Sequence, residues 1–373
     1  HFTQNEANGE GHYTVGGKIL GQDGKVIIDN NSNSYYYMDF AKTSEISHIE
    51  ANGGSNSVRL FGETKVGDIT INSNNGGEFY TLAPNNTISG DIHLTEDSDK
   101  QYRFNLIGKN TVNGDIDIDF VKEDASYYFS WDSDLRNYTE STAKYVNIKG
   151  TNDSLKASVD DLSITSGKNS VLAMNLNYLD IHGSLNVDSH GRNNFTFYNT
   201  IVNGDLNVAS GDTDMTSWVV RSTSTSNQNR YNWYNVTIKG DANVSMEGHS
   251  NYFVLDKVSA ERGMNITANK SNTDSIVVSN SKIDNSHISG FEYLSLDTKA
   301  DNIVADNLTT LNLYARGGNT VTNSTFKGSS AKTDHLTIDG HSLSNGRFEG
   351  FENITIYNAT VDGTTTISNP DEN

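Results

Sequence analysis

A short phrase recurs along the chain at nearly constant spacing, and it limits the possible folds more than any other feature. The phrase has the form apolar-x-Gly-Asp-apolar-x-apolar, as in the segment Val112-Asn113-Gly114-Asp115-Ile116-Asp117-Ile118. The glycines at 67, 90 and 114 are 23 and 24 residues apart, and those at 183 and 204 are 21 apart. A fixed period of this length indicates one small unit that stacks on copies of itself.

The alternation of residue types within the phrase predicts a β-strand. From Val112 to Ile118, apolar residues and glycine occupy every second position, and polar residues lie between them. A period of two places the apolar side chains on one buried face. Segments such as Gly191-Arg192-Asn193-Asn194 separate the strands, and they suit corners because Gly and Asn tolerate positive φ. One repeat is therefore predicted to be a coil of strands and corners, about 20 to 25 residues long.

The composition fits a thin-cored, very polar folded protein. Hydrophobic residues make up 34% of the chain, which carries 48 asparagines and a net charge of −20. The 18 tyrosines and 14 phenylalanines are too many for a disordered chain. There is no cysteine, and the two prolines are as few as expected where strand ladders use nearly every backbone N–H. A pI of about 4.7 argues against nucleic acid and against anionic membrane surfaces as partners.

We therefore predict an all-β fold, a single β-helical domain over residues 1–373 with about 14 to 16 parallel coils stacked at roughly 4.8 Å. A β-sandwich also has short alternating strands, but it does not explain a phrase that returns at fixed spacing. The period breaks at about 121–144 and 211–235, and we predict loop insertions there. All three tryptophans of the chain lie in these two segments.

The C-terminal third carries a variant phrase, in which Ile288–Leu296 matches Phe348–Ile356 in the form apolar-x-Gly-Phe-Glu-x-apolar-polar-apolar. With the Gly-Asp strands, the Gly-x-Asn corners and the absence of cysteine, the chain resembles passenger domains of bacterial autotransporters (type V secretion), closest to the adhesin and self-associating branch. The resemblance covers essentially the whole chain and rests on architectural motifs. It implies a right-handed parallel β-helix secreted to the bacterial cell surface, held in the outer membrane by a C-terminal barrel outside this sequence, and used for attachment, aggregation or biofilm formation.

Polar residues on the outward side of the repeated strands form the first candidate binding site. The aspartate after the repeated glycine should stack in a column where repeats are adjacent, at a repulsion of about 1 kcal/mol per pair in water. This aspartate could cap the corner by a side-chain hydrogen bond, line a groove for a glycan or protein partner, or bind calcium. The candidate groove column comprises Asp68, Asp91, Asp115, Asp117, Asn186, Asp205, Asn207, Asp241 and Asn243.

Aromatic residues in the two predicted insertions form the second candidate site. Insertions in a solenoid emerge as loops, often on the binding face, and exposed Tyr and Trp offer rigid amphipathic area to a sugar or a protein. These aromatics could equally fold the loops back onto the solenoid. The candidates are Tyr127, Tyr128, Trp131, Trp218, Tyr231 and Trp233. A further cluster, Tyr35-Tyr36-Tyr37, is predicted to belong to an N-terminal coil or cap.

No catalytic motif is recognisable in the sequence. It has no Gly-x-Ser-x-Gly elbow, no phosphate-binding loop and no His-Glu-x-x-His pair. It also lacks the Gly-Asp-Ser-Gly motif of the serine-protease branch of autotransporters. A polysaccharide lyase or glycosidase is the enzyme alternative, placed at Asp115, Asp117 and Asp119 or at Lys239 beside Gly240-Asp241. We predict no catalytic residue, no metal and no cofactor.

The predicted function is that of a non-catalytic surface adhesin, with a host extracellular-matrix protein or glycan as its partner. Self-association between cells through Asn, Ser and Thr ladders is the alternative, because many weak contacts along a solenoid give avidity without a deep pocket. The high negative charge predicts that glycan binding rests on hydrogen bonds and resists salt. No contact of this chain with nucleic acid or membrane is expected.

Overall fold

A computed structural model describes residues 1–5, 11–21, 24–121, 129–132, 137–140, 144–167, 171–210, 229–247, 251–269, 274–314, 319–329 and 333–368. Within these ranges, residues 4, 33, 129–132, 137–140, 192 and 229 are described by their backbone alone. The fold is all-β, with parallel strands stacked as a β-solenoid of about 14 turns, which confirms the predicted parallel β-helix. The described residues contain no helix, and hence no apolar helical segment long enough to cross a membrane.

Internal contacts divide the chain into a first unit, His1–Ile201, and a second unit, Val202–Asn373. The strands that begin in the first unit are β1 Phe2–Gln4, β2 Gly11–Val15, β3 Lys18–Ile19, β4 Lys25–Phe40, β5 Glu45–Leu60, β6 Lys65–Ser73, β7 Gly77–Thr81, β8 Thr87–Ile88, β9 Ile92–Glu96, β10 Tyr102–Ile107, β11 Thr111–Val112, β12 Ile116–Phe120, β13 Phe129–Asp132, β14 Asn137–Glu140, β15 Lys144–Lys149, β16 Ala157–Val159, β17 Leu162–Ser166, β18 Val171–Ile181, β19 Leu185–Ser189 and β20 Arg192–Val202.

The strands that begin in the second unit are β21 Leu206–Ser210, β22 Asn229–Tyr234, β23 Thr237–Ile238, β24 Ala242–Met246, β25 Asn251–Asp256, β26 Ser259–Ala260, β27 Met264–Ala268, β28 Ser275–Ser279, β29 His287–Ser289, β30 Tyr293–Asp297, β31 Ala300–Asp301, β32 Val304–Leu308, β33 Thr310–Tyr314, β34 Thr320–Thr322, β35 Thr325–Gly328, β36 His335–Asp339, β37 Ser342–Ser344, β38 Arg347–Glu349, β39 Asn353–Tyr357, β40 Thr360–Asp362 and β41 Thr366–Ser368.

Each coil of the first unit contributes strands to three parallel columns. Strand β10 pairs with β7 on one side and β15 on the other. The short strand β11 pairs in the same way with β8 and β16, and β12 pairs with β9 and β17. The second unit repeats this plan, with β25 between β22 and β28, β24 between β21 and β27, and the short strand β34 between β31 and β37. Corresponding residues of successive coils therefore lie directly above one another.

The core consists of columns of similar apolar side chains. Ile69, Ile92, Ile116 and Leu162 are aligned in register through β6, β9, β12 and β17, and each is fully buried. Burying one such side chain contributes about 1.5 to 3 kcal/mol relative to leaving it exposed. Inward positions such as these therefore favour an apolar residue, which is the origin of the alternation in the sequence.

Asparagine corners explain much of the unusual composition. Asn302, Asn323 and Asn345 adopt φ values of 55°, 49° and 53°, a left-handed region that asparagine tolerates better than most residues. Their side-chain amides also bond between coils: Asn302 donates to Asn285 Oδ1 at 2.9 Å, and Asn345 donates to Asn323 Oδ1 at 3.2 Å. The same residue type thus provides both the turn and a ladder that joins neighbouring turns.

The structure corrects the extent of the second predicted insertion, 211–235. Residues 229–234 form strand β22, which pairs in parallel with β25. Tyr231 and Trp233 point inward and are fully buried, and the Trp233 ring packs edge-on against Phe253 at 4.7 Å between centroids. The prediction that Tyr231 and Trp233 are exposed loop residues is therefore wrong, because the strand's alternation turns both rings into the core. Trp218 lies outside the described residues.

The first predicted insertion, 121–144, ends one residue earlier than expected, since Lys144 already begins strand β15. Within it, β13 pairs antiparallel with β14, which places Trp131 opposite Tyr138 in register. The Trp131 side chain is not among those described, and Tyr127 and Tyr128 lie outside the described residues. Their proposed role in binding stays a prediction.

Candidate functional site

The aspartates of the repeated Gly-Asp phrase form a hydrogen-bonded ladder at one corner of the coils. Asp68 Oδ1 accepts a hydrogen bond from the backbone N–H of Asp91 at 3.1 Å, and Asp91 Oδ1 accepts one from the N–H of Asp115 at 2.9 Å. In the second unit, Asp205 Oδ1 accepts from the N–H of Asp241 at 2.8 Å. One carboxylate oxygen of each acceptor residue is therefore used to satisfy the start of the next strand.

The glycine before each aspartate makes room for this ladder. A Cβ atom at Gly90 would lie 1.8 Å from Asp68 Oδ1, and one at Gly114 would lie 2.1 Å from Asp91 Oδ1. The same clash would arise at Gly240, at 2.3 Å from Asp205 Oδ1. Because no real Cβ atom tolerates such distances, the Gly-Asp pair works as a unit in which Gly admits the carboxylate that Asp supplies to the following coil.

One member of the ladder is hidden in the sequence. The coil at β16 and β17 reads Val159-Asp160-Asp161-Leu162, one residue shorter than the phrase and without its glycine. Asp161 nevertheless donates its N–H to Asp115 Oδ1 at 3.1 Å, and its own Oδ1 accepts from the N–H of Ser184 at 2.5 Å. The apolar residues of β17 are the only signal that would have placed Asp161 in the column. Corner capping thus accounts for Oδ1 of these aspartates, and ligand binding by the second oxygen stays a prediction.

The other residues of the candidate groove column lie on the outward side of the same strands. His93 Nδ1 is 3.2 Å from Asp117 Oδ2, and Asn243 donates to Asn207 Oδ1 at 3.0 Å. Asn186 is half-buried at the corresponding place in β19. The His93–Asp117 and Asn207–Asn243 contacts each join neighbouring coils, so the outward side of these strands carries polar contacts between coils.

Two of the side chains proposed for the enzyme alternative are each held by a neighbouring residue. Lys239 Nζ donates to Asn203 Oδ1 at 2.6 Å. Asp119 accepts a hydrogen bond from Thr165 Oγ1 at 2.5 Å. Among the residues that the structure describes, no three His, Asp or Glu side chains converge in a way that could hold a metal ion.

A cleft of about 400 Å³ lies on the outward side of β4, β5, β7 and β10 in the first unit. Of its lining, the sequence pointed only to the tyrosine cluster, and no local sequence pattern predicts the cleft. It combines one aromatic ring, both signs of charge and several amide and hydroxyl groups. The cleft is lined by Tyr35, Ser55, Asn75, Gly77, Glu78, Lys100, Gln101 and Arg103.

The register of the coils brings these residues together. Tyr35 on β4 lies opposite Ser55 on β5, and Glu78 on β7 lies opposite Arg103 on β10. The alternation that turns Tyr36, Phe79 and Phe104 into the core leaves the residues beside them facing outward. The cleft floor therefore consists of strands that pack against the core.

Glu78 and Tyr35 are positioned by contacts with residues next to the cleft. Ser57 Oγ donates a hydrogen bond to Glu78 Oε1 at 2.7 Å. The Tyr35 ring lies 5.1 Å from the Tyr37 ring, and Arg59 stacks on Tyr37 at 4.6 Å. Burial, with the nearby Glu78 charge as a second cause, raises the pKa of the Tyr35 phenol well above its ordinary value. Tyr35 therefore stays a neutral hydroxyl that can donate a hydrogen bond at physiological pH.

The cations of the cleft differ in how they are paired. Lys100 Nζ lies 3.6 Å from Asp99, and the neighbouring Arg59 donates to Asp39 Oδ1 at 2.6 Å. The exposed Arg103 has its guanidinium 5.9 Å from the Tyr145 ring centroid. In the described part of the chain, no carboxylate lies within 4.0 Å of the Arg103 guanidinium. Arg103 thus presents a charged, planar hydrogen-bond donor to the cleft.

No family model matches this chain, and neither the curated proteins nor the solved structures include one significantly similar to it.

Proposed function

We propose that this protein is a non-catalytic adhesin that attaches a bacterium to a host extracellular-matrix glycan or protein, displayed at the cell surface as an autotransporter passenger. The observation that carries the proposal is the cleft on the first unit, which a tyrosine ring, charges of both signs and several hydroxyl and amide groups line on strands packed against the core. Aromatic rings flanked by hydrogen-bonding groups suit sugars and polar protein surfaces alike.

Binding is favoured over chemistry by what the acidic residues do. The carboxylates of Asp68, Asp91 and Asp115 hold successive coils together through backbone hydrogen bonds, which gives them a structural task. Glu78 likewise accepts from Ser57 and lies beside Arg103, an arrangement suited to holding a ligand by hydrogen bonds.

The test is retention of the full chain on immobilised collagen, fibronectin, laminin, unsulfated and sulfated glycosaminoglycans, and the chain itself, at low and high salt. The proposal predicts retention on at least one matrix ligand that survives the higher salt, since hydrogen bonds and ring contacts are screened less than free charges. Retention on the chain alone would instead favour self-association. Release of reducing ends from a bound glycan would favour the lyase or glycosidase.

A pair of tyrosine variants locates the binding surface. Tyr35→Ser removes the ring from the cleft, whereas Tyr198→Ser removes a ring that is 40% exposed elsewhere on the first unit. We expect the first substitution to weaken retention and the second to leave it unchanged, with both variants folded by circular dichroism. Equal retention of the two variants would contradict the placement of the site in the cleft.

A further inference from the structure

We propose that the cleft recognises a pyranose ring that carries one carboxylate, such as a uronic acid within a chain or a terminal sialic acid. This inference rests on the proposed function and specifies its ligand. Three features of the described residues support this class of ligand: the pairing of Arg103, the ring of Tyr35 and the balance of charge around them.

Arg103 supplies the recognition of the carboxylate. A guanidinium presents parallel N–H donors that match the two oxygens of a carboxylate, and such charge-assisted pairs are about twice as strong as neutral hydrogen bonds. Arg103 is exposed at the cleft, while the guanidinium of the neighbouring Arg59 is already bonded to Asp39 at 2.6 Å. Of these two arginines, Arg103 is therefore the one oriented to a group from outside the chain.

Tyr35 and the polar lining supply the recognition of the sugar ring. An aromatic ring packs against the C–H faces of a pyranose, and its phenol donates a hydrogen bond. Ser55, Asn75 and Gln101 surround the same space with groups that can pair with sugar hydroxyls. The volume of about 400 Å³ is at the lower end of the range for small-molecule sites, which suits one or two sugar rings.

The charges around the cleft favour a single carboxylate over a sulfated or phosphorylated group. Glu78 lies directly opposite Arg103 in the strand register, so a second negative charge on the ligand would approach a carboxylate. The net charge of −20 adds a general repulsion of polyanions. A ligand with one carboxylate and many hydroxyls matches Arg103 and also offers O–H donors to Glu78.

The test is calorimetric titration of the full chain with matched pairs of sugars. The carboxylated probes are sialyllactose, a hyaluronan tetrasaccharide and a galacturonate oligomer. Lactose and a chitin tetrasaccharide are the neutral probes, and a heparin tetrasaccharide is the sulfated one. Each is measured on the wild type, Arg103→Gln, Arg103→Lys and Arg230→Gln. Arg230 is the matched control, because it is an exposed arginine at the second position of the six-residue strand β22, as Arg103 is in β10.

We expect at least one carboxylated probe to bind about tenfold tighter than its neutral counterpart, which corresponds to one charge-assisted contact. Arg103→Gln should abolish this preference, Arg103→Lys should restore only part of it, and Arg230→Gln should leave it intact. Whether sialyllactose or the uronate oligomers bind decides which source of the carboxylated ring is recognised.

Four results would overturn the inference. Equal affinity of wild type and Arg103→Gln for the carboxylated probes would remove Arg103 from recognition, and tighter binding of heparin than of hyaluronan would remove the preference for one carboxylate. Binding of a neutral sugar or a matrix protein without dependence on Arg103 would defeat this inference and leave the adhesin proposal standing. Failure of every probe and every matrix ligand to bind would defeat both.

Discussion

Replacing Asp91 by alanine tests whether the Gly-Asp ladder holds successive coils together. Asp91 both donates its N–H to Asp68 Oδ1 at 3.1 Å and accepts from the N–H of Asp115 at 2.9 Å. Asp91→Ala removes the second bond and leaves the Asp115 N–H to water. A hydrogen bond to a charged group contributes about 1.5 to 3 kcal/mol, and a side chain that caps a helix N-terminus, a comparable case, contributes about 0.5 to 2 kcal/mol. Since the Asp91 side chain is half-exposed, we expect Asp91→Ala to lower the free energy of opening of the following coil by about 1 to 2 kcal/mol.

Two further variants separate the hydrogen bond from the room that glycine provides. Asp91→Asn keeps an acceptor at Oδ1 and should lower the free energy of opening by less than about 1 kcal/mol. Gly114→Ala would bring a Cβ atom to 2.1 Å from Asp91 Oδ1 and 2.6 Å from the Gly90 carbonyl oxygen. Because backbone atoms must then move and the hydrogen bond is lost as well, we expect Gly114→Ala to lower the free energy of opening by about 2 to 4 kcal/mol.

Native-state hydrogen exchange measures these effects where they arise, because a solenoid can open locally without unfolding as a whole. The exchange of a peptide spanning 111–121 gives the free energy of opening of the coil that receives the hydrogen bond. Asp97→Ala is the control, an exposed aspartate in the turn after β9, and should change this value by less than about 0.5 kcal/mol. If Asp91→Ala lowers the free energy of opening no more than Asp97→Ala does, the ladder does not stabilise the coils.

Three other predictions concern the core. Trp233→Ala should destabilise the chain by about 3 to 5 kcal/mol in urea, because the ring is fully buried against Phe253, and unchanged stability would show that it is not a core residue. Burial lowers the pKa of His341 below its ordinary value of 6.5, so the folded state binds fewer protons than the unfolded state. The contribution of His341 to stability is therefore complete above about pH 6.5 and declines as the pH falls toward the folded-state pKa. His341→Gln should make the urea midpoint less dependent on pH in this range. An unchanged pH dependence of the midpoint would contradict the role given to His341. Lys144→Met should lower the free energy of unfolding by about 3 to 5 kcal/mol, because Glu96, 3.8 Å away and equally buried, then lacks its countercharge. Adding Glu96→Gln should recover most of this free energy. No recovery would show that the unpaired charge is not the cause.

Much of the fold follows from the sequence because each coil repeats the same physical requirement. Inward positions such as those of Ile92 and Ile116 must be apolar, and the glycine at 90 or 114 must admit a carboxylate from the coil before it. Both constraints leave a visible phrase. Where a coil meets them with one residue fewer, as at Asp160-Asp161, the phrase disappears although the ladder continues.

The limits of the insertions were harder to predict, because aromatic residues suit both a core and an exposed loop. The segment Asn229-Arg230-Tyr231-Asn232-Trp233-Tyr234 alternates in the same way as Asn251–Asp256, with which it pairs in register. Aligning these two segments would have placed Tyr231 and Trp233 on the buried parity. Composition alone pointed to a loop, since Arg, Asn and Tyr are frequent there.

The cleft could not be predicted from local patterns. Tyr35, Glu78 and Arg103 belong to three different coils and are brought together by strand pairing across intervals that differ in length. The irregular step from β4 to β5, where the register shifts between Asn30 and Tyr35, moves the tyrosine cluster relative to the strands that follow it. Only the pairing register shows which outward residues become neighbours.

We propose that the Gly-Asp column is structural and that the first unit binds its ligand in the cleft. The most direct measurement compares retention of Tyr35→Ser with that of Asp117→Asn, a substitution on the outward side of the column, on whichever matrix ligand the wild-type chain binds. We predict that Tyr35→Ser loses most of its retention, while Asp117→Asn binds like the wild type. Loss of retention in Asp117→Asn with normal binding by Tyr35→Ser would contradict the claim and return the site to the column.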